Sequence, residues 1–149
     1  MKPMNEMKVT FPSRSANEGF ARATVAAFLS QLDPAVDELA DMRTAVSEAV
    51  TNCIVHAYPD KIGEITLHMK LYSTGRVVIK IRDHGCGIDN VEQAMEPLFT
   101  TGGEERSGLG FSVMQSFTDK LKVTSKKEKG TVVTLEKYIV LRERQARSS

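Results

Sequence analysis

The sequence predicts an α+β fold, a two-layer sandwich in which helices cover one face of a mixed, mostly antiparallel sheet. In the first third of the chain, apolar residues recur with the period of a helix. Further along they alternate with a period of two, in two pairs of consecutive segments that resemble hairpins. Strands grouped in pairs, with helices outside the pairs, are typical of α+β domains.

The chain begins with a predicted strand and helix. Residues 7–13 alternate polar and apolar side chains, as a half-buried strand does. The following helix is predicted over 17–32. Ser15 and Glu18 have the three-residue spacing of a capping box, in which two side chains bond the unpaired N–H groups at a helix start. The core side of this helix is predicted to consist of Phe20, Val25, Phe28 and Leu29.

A second helix is predicted over 35–58. Asp33 and Pro34 mark its start, because proline lacks an N–H group that would be unpaired in the first helical turn anyway. Pro59 ends it, since proline cannot continue the hydrogen bonding of a helix. The apolar side of this helix is predicted to consist of Leu39, Met42, Val46, Ala49, Val50 and Cys53.

Two hairpins and one further helix complete the prediction. Strands over 63–72 and 76–83 form the first hairpin, and one of its faces is expected to be buried. A helix over 111–120 precedes the second hairpin, which covers 120–140. The buried face of the first hairpin is predicted to consist of Ile65, Leu67, Met69, Leu71, Val77, Ile79 and Ile81.

Length and composition favour one domain over residues 1–149, with a polar C-terminal tail over about 138–149. The formal net charge of +1 provides no basic field for direct DNA binding. No apolar run is long enough to span a membrane, and the N-terminus lacks the apolar core of a signal peptide. A cytoplasmic protein is therefore expected, with Cys53 and Cys86 as reduced thiols.

Three polar residues interrupt the apolar second helix. Glu48, Asn52 and His56 are four residues apart and would share one helix face, surrounded by core positions. A polar stripe in such surroundings is costly unless a partner satisfies it. The stripe therefore predicts a ligand site, although for His56 the simpler interpretation is a satisfied histidine at the helix end.

A carboxylate and two glycines follow the second strand of the first hairpin. Asp83 ends the strand, and Gly85 and Gly87 come directly after it. Glycines allow a backbone to approach a ligand closely, and the carboxylate can accept a hydrogen bond from an exocyclic amine. The alternative is structural: an aspartate that caps a glycine turn at a strand end. The spacing alone leaves both open.

A long loop is predicted over residues 95–111, and loops of this length often bind ligands or cover them. Ser107 and Gly108 lead from it into the next helix, whose first N–H groups suit phosphate binding. Arg106 lies just before that turn and could reach a terminal phosphate. Its simpler interpretation is a solvated loop charge.

Four motifs in this order resemble the ATP site of the Bergerat-fold family, which includes DNA gyrase, histidine kinases, a heat-shock chaperone and a mismatch-repair ATPase. The resemblance covers roughly residues 48–131, and the order of the motifs makes it specific. They are Glu48-x-x-x-Asn52, Asp83-x-Gly85-x-Gly87, Gly108-Leu109-Gly110 and Gly130-Thr131.

The resemblance implies a site for ATP or ADP with Mg²⁺. Asn52 would hold the metal ion, and Glu48 would act as the catalytic base. Asp83 would bind the adenine amine, and Arg106 would stabilise the γ-phosphate as a second catalytic residue. The nucleotide-binding residues that it implies are Asn52, Asp83, Gly85, Gly87, Ile88, Thr100, Ser107, Gly108, Leu109, Gly110 and Thr131.

Longer stretches of the chain resemble the small anti-sigma serine kinases of spore-forming bacteria. The stretches are residues 11–22, 47–58, 83–88 and 96–114. This resemblance implies a homodimer that binds a sigma factor of RNA polymerase and phosphorylates a serine of an anti-anti-sigma protein. Arg22 is a candidate partner contact, although a solvated helix charge explains it nearly as well.

Two other functions remain open at this point. One is a sigma-binding clamp that ATP closes, without significant kinase activity; the other is the detached ATP-binding domain of a histidine kinase. Glu48 on the same helix face as Asn52 favours an enzyme, because a clamp needs no base.

Overall fold

A computed structural model describes residues 1–96 and 110–141 of the chain. Within these residues, five strands and four helices follow one another in the order expected of the predicted fold. They are β1 (Asn5–Pro12), α1 (Ala16–Leu29), α2 (Val36–Asn52), β2 (Glu64–Leu71), β3 (Arg76–Asp83), α3 (Val91–Ala94), α4 (Phe111–Phe117), β4 (Lys120–Lys126) and β5 (Gly130–Tyr138). The short helix α3 was not predicted.

The sheet has the strand order β1-β2-β3-β5-β4, and each neighbouring pair is antiparallel. The α+β sandwich is therefore confirmed, and its sheet is wholly antiparallel in the part of the chain that the structure describes. The two predicted hairpins lie side by side because β3 pairs with β5. This pairing places Asp83, at the end of β3, directly opposite Thr131, at the start of β5. The second and fourth motifs therefore meet where these two inner strands end.

The helices cover one face of the sheet, where α2 packs against both α1 and α4. The predicted buried face of the first hairpin is confirmed, since every one of its seven apolar residues is at most 1% exposed. The prediction that Phe20 belongs to the core side of α1 is wrong, because its side chain is 51% exposed and contacts Phe11 edge-on. The buried side of α1 consists instead of Ala21, Val25, Phe28 and Leu29, which are spaced as one helical stripe.

The predicted capping box of α1 is wrong. Ser15 is already in a helical conformation, and its side chain makes no capping hydrogen bond. Glu18 instead pairs with Arg22, 2.7 Å from its Nε, and accepts a hydrogen bond from Ser47 on α2. The side chain that local spacing assigns to a cap thus joins two packed helices.

The second helix begins after Pro34, as predicted, but its regular part ends earlier than predicted. Pro34 precedes its first turn, and the Glu38 carboxylate accepts a hydrogen bond from the N–H of Ala35 at 2.8 Å. After Asn52 the chain forms a π-helical turn over Cys53–Ala57 rather than continuing as a regular helix. The N–H of Tyr58 bonds the carbonyl oxygen of Cys53 in this turn, and Cys86 donates hydrogen bonds to the carbonyl oxygens of His56 and Ala57 at its end.

The third predicted helix is shorter than expected. Residue 118 is extended, so α4 ends at Phe117, and β4 begins at Lys120. Most of the predicted loop over 95–111 and residues 142–149 of the predicted tail lie outside the described residues. Within residues 1–96 and 110–141, no helix is long and apolar enough to cross a membrane.

Candidate functional site

The centre of the site is the buried carboxylate of Asp83, which is 5% exposed at the end of β3. Its Oδ1 accepts hydrogen bonds from the N–H groups of Gly85 at 2.9 Å and Thr131 at 3.2 Å. Asp83 does cap the glycine turn, as the simpler interpretation of this motif requires, but with one oxygen only. Oδ2 is therefore the oxygen that a bound molecule can use.

Cys53 is the neighbour of that second oxygen. Its thiol donates a weak hydrogen bond to Asp83 Oδ2 across 3.5 Å. Burial raises the pKa of the Cys53 thiol well above its ordinary value, and the negative charge of Asp83 raises it further. The thiol is therefore held in its protonated form. Cys53 and Cys86 are both free cysteines, as expected.

We expect Cys53 to lower the stability of the protein at alkaline pH. An unfolded chain loses the thiol proton near pH 8.5, the approximate ordinary pKa, whereas the raised pKa lets the folded chain keep it. Above that pH the folded state binds more protons than the unfolded state. The free energy of unfolding then falls by up to about 1.4 kcal/mol per pH unit.

Urea unfolding between about pH 7 and pH 10 measures this effect in the wild type, Cys53→Ala and Cys86→Ala. Cys53→Ala should lack this part of the alkaline decline, while Cys86→Ala should follow the wild type because Cys86 is exposed. Parallel curves for the wild type and Cys53→Ala would contradict the expectation.

A cavity of about 30 Å³ lies between the end of α2, the glycine turn, α4 and β5. A pocket for a small molecule usually measures about 300 Å³ or more, so this cavity by itself is smaller than a nucleotide requires. Four residues predicted to bind nucleotide are brought together there. The lining residues are Asn52, His56, Ala57, Gly87, Ile88, Phe111, Thr131 and Val133.

The two glycines after Asp83 allow the turn to pack between other backbones. A Cβ at Gly85 would collide with the carbonyl oxygen of Ala57, and one at Gly87 would collide with that of Lys126. Gly87 also has a φ of +76°, which favours glycine. The turn is thus held against the π-helical turn on one side and the second hairpin on the other.

Glu48 and Asn52 lie one turn apart on α2 but line two different cavities. Asn52 lines the cavity, whereas Glu48 lines a separate cleft of about 240 Å³ between α1 and α2. Oε1 of Glu48 lies so close to Gly110 that a Cβ on Gly110 would collide with it. The predicted stripe thus divides between Glu48 and Asn52, while His56, exposed in the π-helical turn, lines the same cavity as Asn52.

Arg22 lines the same cleft as Glu48. Its guanidinium is held by the ion pair with Glu18 and its side chain remains 41% exposed. Arg43 lines this cleft as well, so the space beside the Glu48 carboxylate has two cationic side chains.

Five residues predicted for the site cannot be placed, because they lie outside the described residues: Thr100, Arg106, Ser107, Gly108 and Leu109. Their assignments stay predictions. Sequence reasoning in turn missed Cys53 as a contact of Asp83, and it missed Ser125, which bonds Thr131. Ser125 could have been found, since it lies opposite Thr131 in the predicted second hairpin.

Within residues 1–96 and 110–141, no group of three or more His, Cys, Asp or Glu side chains is arranged to hold a metal ion. Mg²⁺ in nucleotide sites commonly takes one or two protein oxygens and otherwise phosphate and water. The carboxamide of Asn52, at the wall of the cavity, is a donor of this kind.

The family model for the histidine kinase-like ATPase domain matches residues 11–137. The anti-sigma F factor of Caldanaerobacter subterraneus subsp. tengcongensis is 54% identical over 140 residues, which cover 93% of this chain and 97% of that protein. The chain belongs to the anti-sigma F factor family of histidine kinase-like ATPases. Another member, from Geobacillus thermodenitrificans, is 50% identical over 136 residues, covering 91% of this chain and 93% of that protein.

A solved structure confirms the fold of this anti-sigma F factor family member. The RsbU and RsbW domains of a Mycobacterium tuberculosis protein match it with a TM-score of 0.69 at 19% identity, covering 92% of this chain and 33% of that one. The histidine kinase-like ATPase domain implies that ATP or ADP is the ligand of the site. Asn52 and Thr131, two of the residues predicted to bind it, line the same cavity.

Proposed function

We propose that this chain binds and inhibits a sporulation sigma factor and, with Mg-ATP, phosphorylates a serine of an anti-anti-sigma partner. The relatives named anti-sigma F factor, 54% and 50% identical to it, support the sigma-binding part. The kinase part rests on one observation: the Glu48 carboxylate lines an open cleft one helical turn from Asn52, which lines the cavity. We also propose that the chain is a single domain, acts in the cytoplasm and forms a homodimer.

The nucleotide half of the site fits an adenine nucleotide. Asp83 Oδ2 is available for the adenine amine, and Thr131 lies beside Asp83 at the cavity. Gly87 and Ile88 line the cavity and are proposed to contact the base, and Gly85 holds the Asp83 carboxylate through its N–H group. In this assignment the carboxamide oxygen of Asn52 would bind Mg²⁺, and the ion would neutralise negative charge on the phosphates of ATP.

Glu48 is proposed as the general base for the partner's serine. Its carboxylate accepts the hydroxyl proton, which a half-buried glutamate facing a solvent-accessible cleft can do. Phosphoryl transfer depends mainly on positioning and on neutralising charge. The positioning here comes from the contact of Glu48 with Gly110. Thr100, Arg106, Ser107, Gly108 and Leu109 are proposed to bind the nucleotide, with Arg106 on the γ-phosphate.

The cleft between α1 and α2 is the proposed approach of the partner. A serine that reaches Glu48 along it passes Arg22, which is therefore proposed to contact the partner. The ion pair with Glu18 fixes the direction of the Arg22 side chain before binding. This reduces the side-chain freedom that the arginine loses on contact.

Phosphorylation of a serine-containing anti-anti-sigma domain tests the proposal. The protein is mixed with Mg²⁺, γ-labelled ATP and that domain, and the labelled product is then treated with acid. Label that survives acid supports a serine kinase, whereas acid-labile label indicates phosphorylation of histidine. Absence of label, with ATP binding and sigma binding intact, would leave an ATP-closed clamp and overturn the kinase part.

Gly110→Ala is expected to lower kinase activity by about 100-fold, because the added Cβ displaces the Glu48 carboxylate. Gly110 has a φ of +67°, so alanine should also lower the free energy of unfolding by about 1–2 kcal/mol. Urea unfolding and the labelling assay measure the two effects.

Gly19→Ala is the matched control for this variant. Its added Cβ would have only an ordinary 3.7 Å contact with Arg22 Nη2, and alanine is favoured over glycine within a helix such as α1. Stability should therefore rise slightly and activity should remain. Full activity in Gly110→Ala would show that its contact with Glu48 is irrelevant to catalysis.

A further inference from the structure

Ser125 of β4 lies directly opposite Thr131 and makes three hydrogen-bond contacts with one hydroxyl group. Its Oγ accepts a hydrogen bond from the N–H of Ile88 at 2.8 Å and donates one to the carbonyl oxygen of Gly130 at 3.0 Å. The third contact joins its Oγ to Oγ1 of Thr131 at 2.7 Å. Ile88 and Thr131 both line the nucleotide cavity.

The direction of the third bond follows from the other two. Serine has a single hydroxyl hydrogen and two acceptor positions. The Gly130 carbonyl can only accept, so it takes the hydrogen of Ser125, and the Ile88 N–H group occupies one acceptor position. All three contacts can be hydrogen bonds at once only if Thr131 donates its hydrogen to Ser125, which leaves the Thr131 oxygen with lone pairs to offer a ligand.

The polar groups at this end of the cavity consequently accept hydrogen bonds. The hydroxyl of Thr131 uses its hydrogen in the bond to Ser125, so toward a ligand it can only accept. The neighbouring Asp83 carboxylate can offer a bound base only Oδ2, because two N–H groups already bind Oδ1. A purine with an amine at this edge supplies the matching donors. A purine with a carbonyl oxygen in the same place would face two acceptors, which is repulsive.

We propose that Ser125 is a specificity-determining residue, which fixes the hydroxyl of Thr131 as an acceptor and so favours 6-amino over 6-oxo purine nucleotides. This rests on the nucleotide site of the proposed function. Ser125 acts through Thr131 and is thus a positioning residue. Without it the hydroxyl of Thr131 can turn and donate to a 6-oxo group.

The test compares the dissociation constants of ADP and inosine diphosphate, measured by titration calorimetry. Ser125→Ala should reduce the preference for ADP about 10-fold, chiefly by improving the binding of inosine diphosphate. Ser125→Thr keeps a hydroxyl at this position and should retain most of the wild-type preference. Thr124→Ala, at an exposed neighbouring position, should change nothing.

Equal weakening of both nucleotides by Ser125→Ala would overturn the proposal and leave Ser125 a purely structural role. A wild type that does not distinguish the two nucleotides would overturn it as well. If the wild type bound neither nucleotide, the nucleotide site of the proposed function would itself fail. Tight, selective ADP binding without any kinase activity would refute the proposed kinase and leave this inference intact.

Discussion

Glu48→Gln is expected to reduce phosphorylation of the partner's serine by about 100- to 10,000-fold while leaving ADP affinity unchanged. Glutamine has the shape of glutamate but cannot accept the hydroxyl proton. Glu48 lies in the cleft between α1 and α2, outside the residues that line the nucleotide cavity. Steady-state phosphorylation and ADP titration on the same preparation therefore separate catalysis from binding.

Glu64→Gln provides a matched control, because it makes the same chemical change at an exposed glutamate at the start of β2. It should retain wild-type activity and ADP affinity. If Glu48→Gln kept activity within about 10-fold of the wild type, Glu48 would not be the general base. If it lost ADP affinity and activity together, the carboxylate would have a role in forming the nucleotide site.

Asp83→Asn is expected to weaken ADP binding by about 100-fold with little effect on folding. The two backbone N–H groups of Gly85 and Thr131 require an acceptor at the position of Oδ1, which the amide oxygen can provide. That requirement forces the amide nitrogen into the position of Oδ2. A donor then faces the adenine amine, itself a donor, and the contact becomes repulsive.

The same reasoning predicts that Asp83→Asn weakens inosine diphosphate much less than ADP, because the new donor suits a 6-oxo group. Asp89→Asn is the matched control: Asp89 is 73% exposed and lies 3.8 Å from Lys127, in the segment that follows the glycine turn. It should change ADP affinity by less than about 2-fold. ADP affinity in Asp83→Asn close to the wild-type value would show that the base does not use this carboxylate.

The first hairpin shows how much of this fold follows from sequence alone. A one-residue shift in a strand moves every side chain to the other face, so strict alternation over β2 and β3 leaves a single arrangement. All seven predicted core residues of the hairpin are accordingly buried. The order of the four motifs likewise predicted that Asp83, Asn52 and Thr131 belong to one site.

Helix faces and helix ends were less predictable. Phe20 was placed in the core because it is apolar, but the packing of α1 against α2 turns Ala21 inward instead. The spacing of Ser15 and Glu18 suits a capping box, yet Glu18 binds Arg22 and Ser47 across a helix interface. Local spacing cannot show which of several partners a side chain meets, because tertiary contacts decide between them.

The sequence by itself determined the family, the alternation of the strands and the residue types that an adenine nucleotide requires. Only the tertiary structure decided how those residues are oriented. The last two carbonyl groups of the π-helical turn, those of His56 and Ala57, accept hydrogen bonds from Cys86, about thirty residues away. In the proposed arrangement the hydroxyl of Thr131 accepts from a ligand because it donates its own hydrogen bond to Ser125. Asp83 has one oxygen available to a ligand because two backbone N–H groups bind the other. Each of these depends on hydrogen bonds between segments far apart in the chain or on adjacent strands, whose geometry exists only after the sheet and helices have packed.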